Sequence, residues 1–233
     1  MEPWIEWARG PAFVFAFTFM AVGLLRHALV TLWEMRRTMR RAGDKALPYG
    51  PAIAATFRWL FPLGKMRRQF LFTLTSVLFH AAILIVPVFL AGHVALWARG
   101  AGVSWPAIPG GLADVLTIVA VVTAVALVVQ RVASRATRTL SRPQDYLLPL
   151  VIAVPFVTGL LMMHSAYNPF SYSATMFVHA MSANLVLILI PITKLSHVVL
   201  LPSTQVVSEM GWRWPSDAGS RVGLALGKEG EPV

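Results

Sequence analysis

Apolar residues do not alternate with polar ones along this chain. They come in five long blocks, roughly Pro11–Trp33, Phe70–Trp97, Leu112–Gln130, Tyr146–His164 and Ser173–Leu200, set between short basic stretches. About 20 mainly apolar residues suffice to carry a helix across about 30 Å of hydrocarbon, so each block predicts a membrane span. The second and fifth are long enough to tilt or to project beyond the hydrocarbon. Gly50–Leu63 is apolar but short, with Pro51 and Pro62 near its ends, and reads as an interfacial helix with Trp59 and Phe61 at headgroup level. From Pro202 the chain turns more polar. The expected division is a five-helix transmembrane region over 1–200 and a polar cytoplasmic tail over 201–233, docking a partner or disordered.

Loop charge gives the direction of the spans. Between spans one and two stand Arg36, Arg37, Arg40, Arg41, Lys45, Arg58, Lys65, Arg67 and Arg68 against Glu34 and Asp44. Spans three and four are joined through Arg131, Arg135, Arg138 and Arg142, opposed by Asp145. The other two loops hold only Arg99 and no charge at all. Basic and neutral loops alternate, which places the N-terminus outside and the C-terminus in the cytoplasm of a cell with an inner membrane. The expected fold class is an all-α membrane protein of five transmembrane helices.

Composition agrees. Hydrophobic residues make up 57% of the chain and charged ones 13%, about half the share in a soluble domain; mean hydropathy is +0.66. The net charge of +10 reads as positive-inside topology, not nucleic-acid binding, and also allows the basic loops to dock anionic lipid or an acidic partner face. The absence of cysteine excludes disulfides, thiolate-bound clusters and covalently attached haem within these residues. The first residues lack the basic start and small-residue cleavage site of a secretory signal, so the first block is expected to stay as an anchor. No internal repeat is visible.

Ionisable groups at membrane depth are costly, so each is a functional hypothesis. There are six histidines: His27, His80, His93, His164, His179 and His197. Spans two and five hold two each and run in opposite directions. Depth therefore pairs His80 with His197 on the inner side and His93 with His179 on the outer. Such pairs suit two stacked haem b groups, whose irons each take one imidazole from either face. The step of 18 positions from His179 to His197 is about five helical turns, so both would point one way. The 13 positions from His80 to His93 leave them about 140° apart in an ideal helix, with Pro87 between them to kink or rewind it. His164 ends span four on the outer side and competes with His93. Arg26 reads as a snorkelling or propionate-binding cation near the inner haem, and His27 beside it as a packing residue.

At these residues the chain resembles the gamma subunit of respiratory nitrate reductase, a membrane cytochrome b family. The matching stretches are Leu78-Phe79-His80 and Gly92-His93 in span two, and His179 with Ile190-Pro191-Ile192-Thr193-Lys194-Leu195-Ser196-His197 in span five. Span four adds Ser141-Arg142-Pro143-Gln144-Asp145 and Thr158-Gly159-Leu160-Leu161. The resemblance implies His80 and His197 on the inner haem, His93 and His179 on the outer, and quinol oxidation beside Gly92 and His93. The family spaces its span-two histidines more closely than here, which points to relatives serving heterodisulfide-reductase-like and sulfur-metabolism complexes. The expected role is electron exchange between membrane quinone and a partner subunit of a respiratory complex. That partner is an iron–sulfur or other redox subunit on the cytoplasmic side, or else a periplasmic multihaem cytochrome. The competing expectations are a proton-coupled transporter using the histidines as relays, and a non-redox anchor subunit.

Overall fold

The computed structural model describes residues 2–41, 49–60, 70–212 and 218–230. The expected headgroup placement of Phe61 and of the Trp59 side chain lies outside the described residues, as do Asp44, Lys45, Pro62, Lys65, Arg67 and Arg68. The helices are α1 (Pro3–Arg9), α2 (Pro11–Arg41), α3 (Tyr49–Leu60), α4 (Phe70–Phe89), α5 (Ala91–Ala101), α6 (Gly110–Ala133), α7 (Arg135–Leu140), α8 (Pro143–Met163), α9 (Tyr172–Ile192), α10 (His197–Trp212) and α11 (Ala218–Ala225). No strand occurs among the described residues. Five helical stretches are long and apolar enough to cross a membrane: Pro3–Arg37, Phe70–Phe89, Gly110–Ala133, Pro143–Met163 and Tyr172–Ile192. The protein is an all-α, multi-pass membrane protein.

By contacts the chain divides into two units. One comprises the described residues of Met1–Phe17 and Gly64–Ile188; the other comprises those of Thr18–Leu63 and Leu189–Val233. This division falls inside α2 and α9.

In the first unit α6 is the central helix, lying along α4 on one side and α8 on the other. Its buried positions are Ala113, Thr117, Ala120, Thr123 and Ala124, a stripe of small residues at helical spacing. Bilayer interiors offer no hydrophobic drive for helix association, so backbones gain by approaching closely over such stripes. Helix α4 answers with Thr75, Phe79, Ala82 and Val86. Thr117 returns its hydroxyl to Ala113 O at 2.7 Å, which keeps its polarity off the lipid. Near the start of α4 and the end of α6 the Gln130 amide donates to Thr75 Oγ1 at 2.9 Å. Large apolar side chains face outward instead: Val115, Ile118, Val122 and Val129 on α6 are all about half exposed or more.

The residues before the first expected span are also ordered. Helix α1 buries Ile5 and Ala8, Trp4 meets Phe177 edge-on at 4.8 Å, and buried Asn184 donates from Nδ2 to Ala8 O at 2.9 Å. That bond satisfies a carbonyl in the last turn of α1, which has no intrahelical partner of its own.

Two expected spans are interrupted. Span two breaks at Leu90, whose backbone is extended (φ −66°, ψ 131°). Span five ends at Ile192, passes through a 3-10 turn at Lys194–Ser196, and resumes as α10. In the second unit α10 packs along α3. The stretch from Pro202 to Trp212 belongs to α10.

Candidate functional site

At the break in span two, three carbonyls take donors from beyond it. Pro87 sits in the last turn of α4, and Leu90 turns the chain before the next helical donors can reach back. His93 Nδ1 donates to Pro87 O at 3.0 Å, Trp105 Nε1 to Val88 O at 2.9 Å, and Ile108 N to Phe89 O at 2.9 Å. Backbone polar groups at membrane depth must be satisfied by the protein itself, and here an imidazole and an indole serve that need. The break also re-aims His93. The 140° offset from His80 expected for an unbroken helix does not apply across it.

His179 is anchored in a matching way from α9 onto α8. Its Nδ1 donates to Pro155 O at 2.9 Å, with Thr158 Oγ1 at 3.3 Å from the same nitrogen. Thr158 passes its own proton to Val154 O at 2.9 Å. Gly159 makes the approach possible: a Cβ there would stand 3.2 Å from His179 Cε1 and 3.4 Å from Nδ1. A proline that loosens the helix, a hydroxyl and a missing side chain together form a cradle for this ring.

The His93 and His179 rings face one another, with centroids 6.2 Å apart and planes 19° from parallel. Two imidazoles bound to one metal ion through nitrogens about 2 Å from it have centroids about 6 Å apart. Aromatic pairs in ordinary stacked contact also fall at about 4.5–7 Å. Each Nδ1 carries its proton to a carbonyl, which leaves the lone pair on Nε2, the nitrogen that ligates haem iron. Carbonyls on the far nitrogen are the usual outer-shell partners that orient a metal-bound histidine. Among the described residues no three His, Asp or Glu side chains gather as a metal site. A porphyrin supplies four nitrogens itself and asks only two of the protein. Neither α4 nor α5, which carries His93, is among the closely packed partners of α9 in the described residues. Two imidazoles, each oriented through Nδ1 by a carbonyl, are the donor type that a bis-histidine haem would take.

The remaining expected residues are placed as follows. His80 lies exposed on α4 in the first unit, its Nδ1 donating to Ser76 O at 2.7 Å. His197 lies exposed at the start of α10 in the second unit, its Nδ1 donating to Lys194 O at 2.8 Å. The five unbroken turns assumed between His179 and His197 are not present, because the helix ends at Ile192. Arg26 is exposed on α2. Gly92 is exposed, with nothing within 4 Å of a Cβ built upon it, so open space adjoins His93. His164 turns elsewhere: its Nε2 is 3.1 Å from Asp114 Oδ2.

Four histidines thus bond backbone carbonyls through Nδ1, and they are the four the sequence pairs on haem. His164 and His27 engage through Nε2 instead. Replacing His164 by alanine is expected to leave haem content unchanged within error, while His93→Ala lowers it. Pyridine haemochrome assays of the two variants check this, and equal losses would contradict it. Sequence reasoning missed Pro155, Thr158 and Asn184 as site and docking residues. A proline and a polar residue inside an apolar block were their only signal.

A protein of Nitratidesulfovibrio vulgaris (strain Hildenborough), described only as "Protein", is 38% identical to this chain over 151 residues. The match covers 64% of this chain and 66% of the relative, so the chain spans just under two thirds of that relative's length. No family model and no solved structure matches.

Proposed function

We propose that the protein is a b-type cytochrome subunit of the inner membrane, exchanging electrons between membrane quinone and a partner redox subunit. The observation that carries this reading is the facing pair His93 and His179, each held by a proline carbonyl through Nδ1. The pair would hold the outer haem. The sequence also offers His197 as a ligand to a second haem, with Arg26 of the same unit available to a propionate.

When bound, haem supplies one-electron chemistry, which a two-electron quinol needs in order to be oxidised in steps. The chain's own part is to hold the imidazoles, fix their tautomer and leave room for the substrate. Gly92 leaves that room next to His93 and would admit the quinol headgroup. Loop charge puts this end outside, so both quinol protons would be released there. The basic loops then offer a cytoplasmic face to an acidic partner, for which an iron–sulfur or other redox subunit is the leading candidate; the alternative partner, a periplasmic multihaem cytochrome, would meet the opposite face. The chain resembles nitrate reductase gamma subunits at the four histidines and at the stretches around them.

The test is a visible spectrum of the purified protein before and after a quinol analogue is added. Reduced b-type bands that grow with quinol support the reading; a protein isolated from haem-replete cells without such bands contradicts it. A second reading, proton-coupled transport, draws on the His164–Asp114 pair. Proton flux in liposomes that vanishes in His164→Ala, from a protein lacking haem, would favour it.

A further inference from the structure

His27 makes the third bond in this molecule between an imidazole and a proline carbonyl inside a membrane span. Its Nε2 donates to Pro191 O at 2.8 Å, as His93 does to Pro87 and His179 to Pro155. The ordinary partner of the Pro191 carbonyl is the amide four residues on, that of Leu195. That amide is turned aside and donates to Thr193 Oγ1 at 3.3 Å. Thr193 is extended (φ −125°, ψ −172°) and starts the 3-10 turn Lys194–Ser196. A carbonyl freed at membrane depth has no water to satisfy it, and the His27 ring replaces the missing donor.

The contact is tight and specific. Pro191 is buried, and a Cβ on Gly23, one helical turn before His27, would stand 2.5 Å from Pro191 Cβ. Glycine at 23 therefore lets α2 approach the end of α9 closely enough for the His27 bond to form. Thr31 Oγ1 donates to His27 O at 2.9 Å on the same helix. All of these residues belong to the second unit. From the break the chain leads directly into His197, whose Nδ1 is held by Lys194 O at 2.8 Å within the turn itself. Moving the Pro191 carbonyl moves the turn, and the turn carries the imidazole.

We infer that His27 is a positioning residue for His197, acting by capping the broken end of α9, and that Gly23 is the small residue that admits it. The inference rests on the proposal that His197 ligates haem. It gives His27, otherwise a packing residue, a part in setting that ligand.

The test uses the full chain, with haem per protein measured by pyridine haemochrome and the lost component identified by its spectrum against that of His197→Ala. His27→Ala should retain the His197-dependent haem about 10–100-fold more weakly, the range seen when an outer-shell partner is removed, while keeping the other haem. His27→Gln, which returns an amide donor near the place of Nε2, should restore it. Gly23→Ala, with His27 intact, should lose the same component. Full retention in His27→Ala overturns the inference. So do loss of both haems in that variant and failure of glutamine to rescue. Should His27→Ala not accumulate, retention in His27→Gln with loss in Gly23→Ala decides in favour, and any other pattern decides against. If the wild type holds no haem, or His197→Ala removes none, the functional proposal itself fails, a result distinct from all of these.

Discussion

Replacing His179 with alanine is expected to remove one haem and to leave a protein with about half the wild-type haemochrome absorbance, because each iron needs both of its imidazoles to stay low-spin and bound. The fold should survive the change. The packed series α4–α6–α8 is held by small-residue stripes and by the Gln130–Thr75 bond, none of which involves His179. The substitution leaves Pro155 O and Thr158 without their imidazole partner, a local cost of about 1 kcal/mol by the scale of membrane hydrogen bonds. His93→Ala should remove the same haem. The double variant should lose no more than either single one, since two residues acting on one iron are not additive. Loss of different spectral components in the two single variants would separate the residues and contradict the pairing. Quinol-driven reduction should fall in both, because the open space beside Gly92 adjoins His93.

A larger side chain at position 159 should reach nearly the same end without touching a ligand. The space beside Gly159 is filled by the His179 ring, at 3.2 Å from where a Cβ would stand. Alanine there would force the ring to shift by a few tenths of an ångström. Valine would also direct its branches at the ring and break the bond to Pro155 O. The expectation for Gly159→Val is outer-haem binding weakened by about 10–100-fold, the usual effect of disturbing a ligand's outer shell. The inner component should remain. Titrating haem into the apoprotein and following the visible bands measures this. Unchanged affinity would mean that the cradle has no part in holding the ring.

The fold was legible in the sequence because bilayer crossing imposes length and composition on every span, and five apolar blocks meet that demand. The pairing of His93 with His179 was legible for a related reason: antiparallel spans convert sequence position into depth. What the sequence hid is the direction in which side chains point. Rotation arithmetic assumes one unbroken helix. Span two changes course at Leu90 and span five at Thr193, so the 140° objection to His93 and the five-turn support for His197 both lose their basis. Pro87 marked the first break, but only the structure shows His93, Trp105 and Ile108 taking up the carbonyls it leaves. Asn184 stood unremarked within an apolar block, although it ties α1 to α9. Its role depends on a partner 176 positions away, which no periodicity reports.

His93 and His179 are proposed to close on one iron through their Nε2 atoms. Electron paramagnetic resonance of the oxidised protein tests it most directly. The account predicts a low-spin ferric signal of two imidazole ligands with nearly parallel planes, following the 19° between the rings, lost in His93→Ala and in His179→Ala but kept in His164→Ala. A high-spin signal in the wild type, or a low-spin signal unaffected by either substitution, would contradict it.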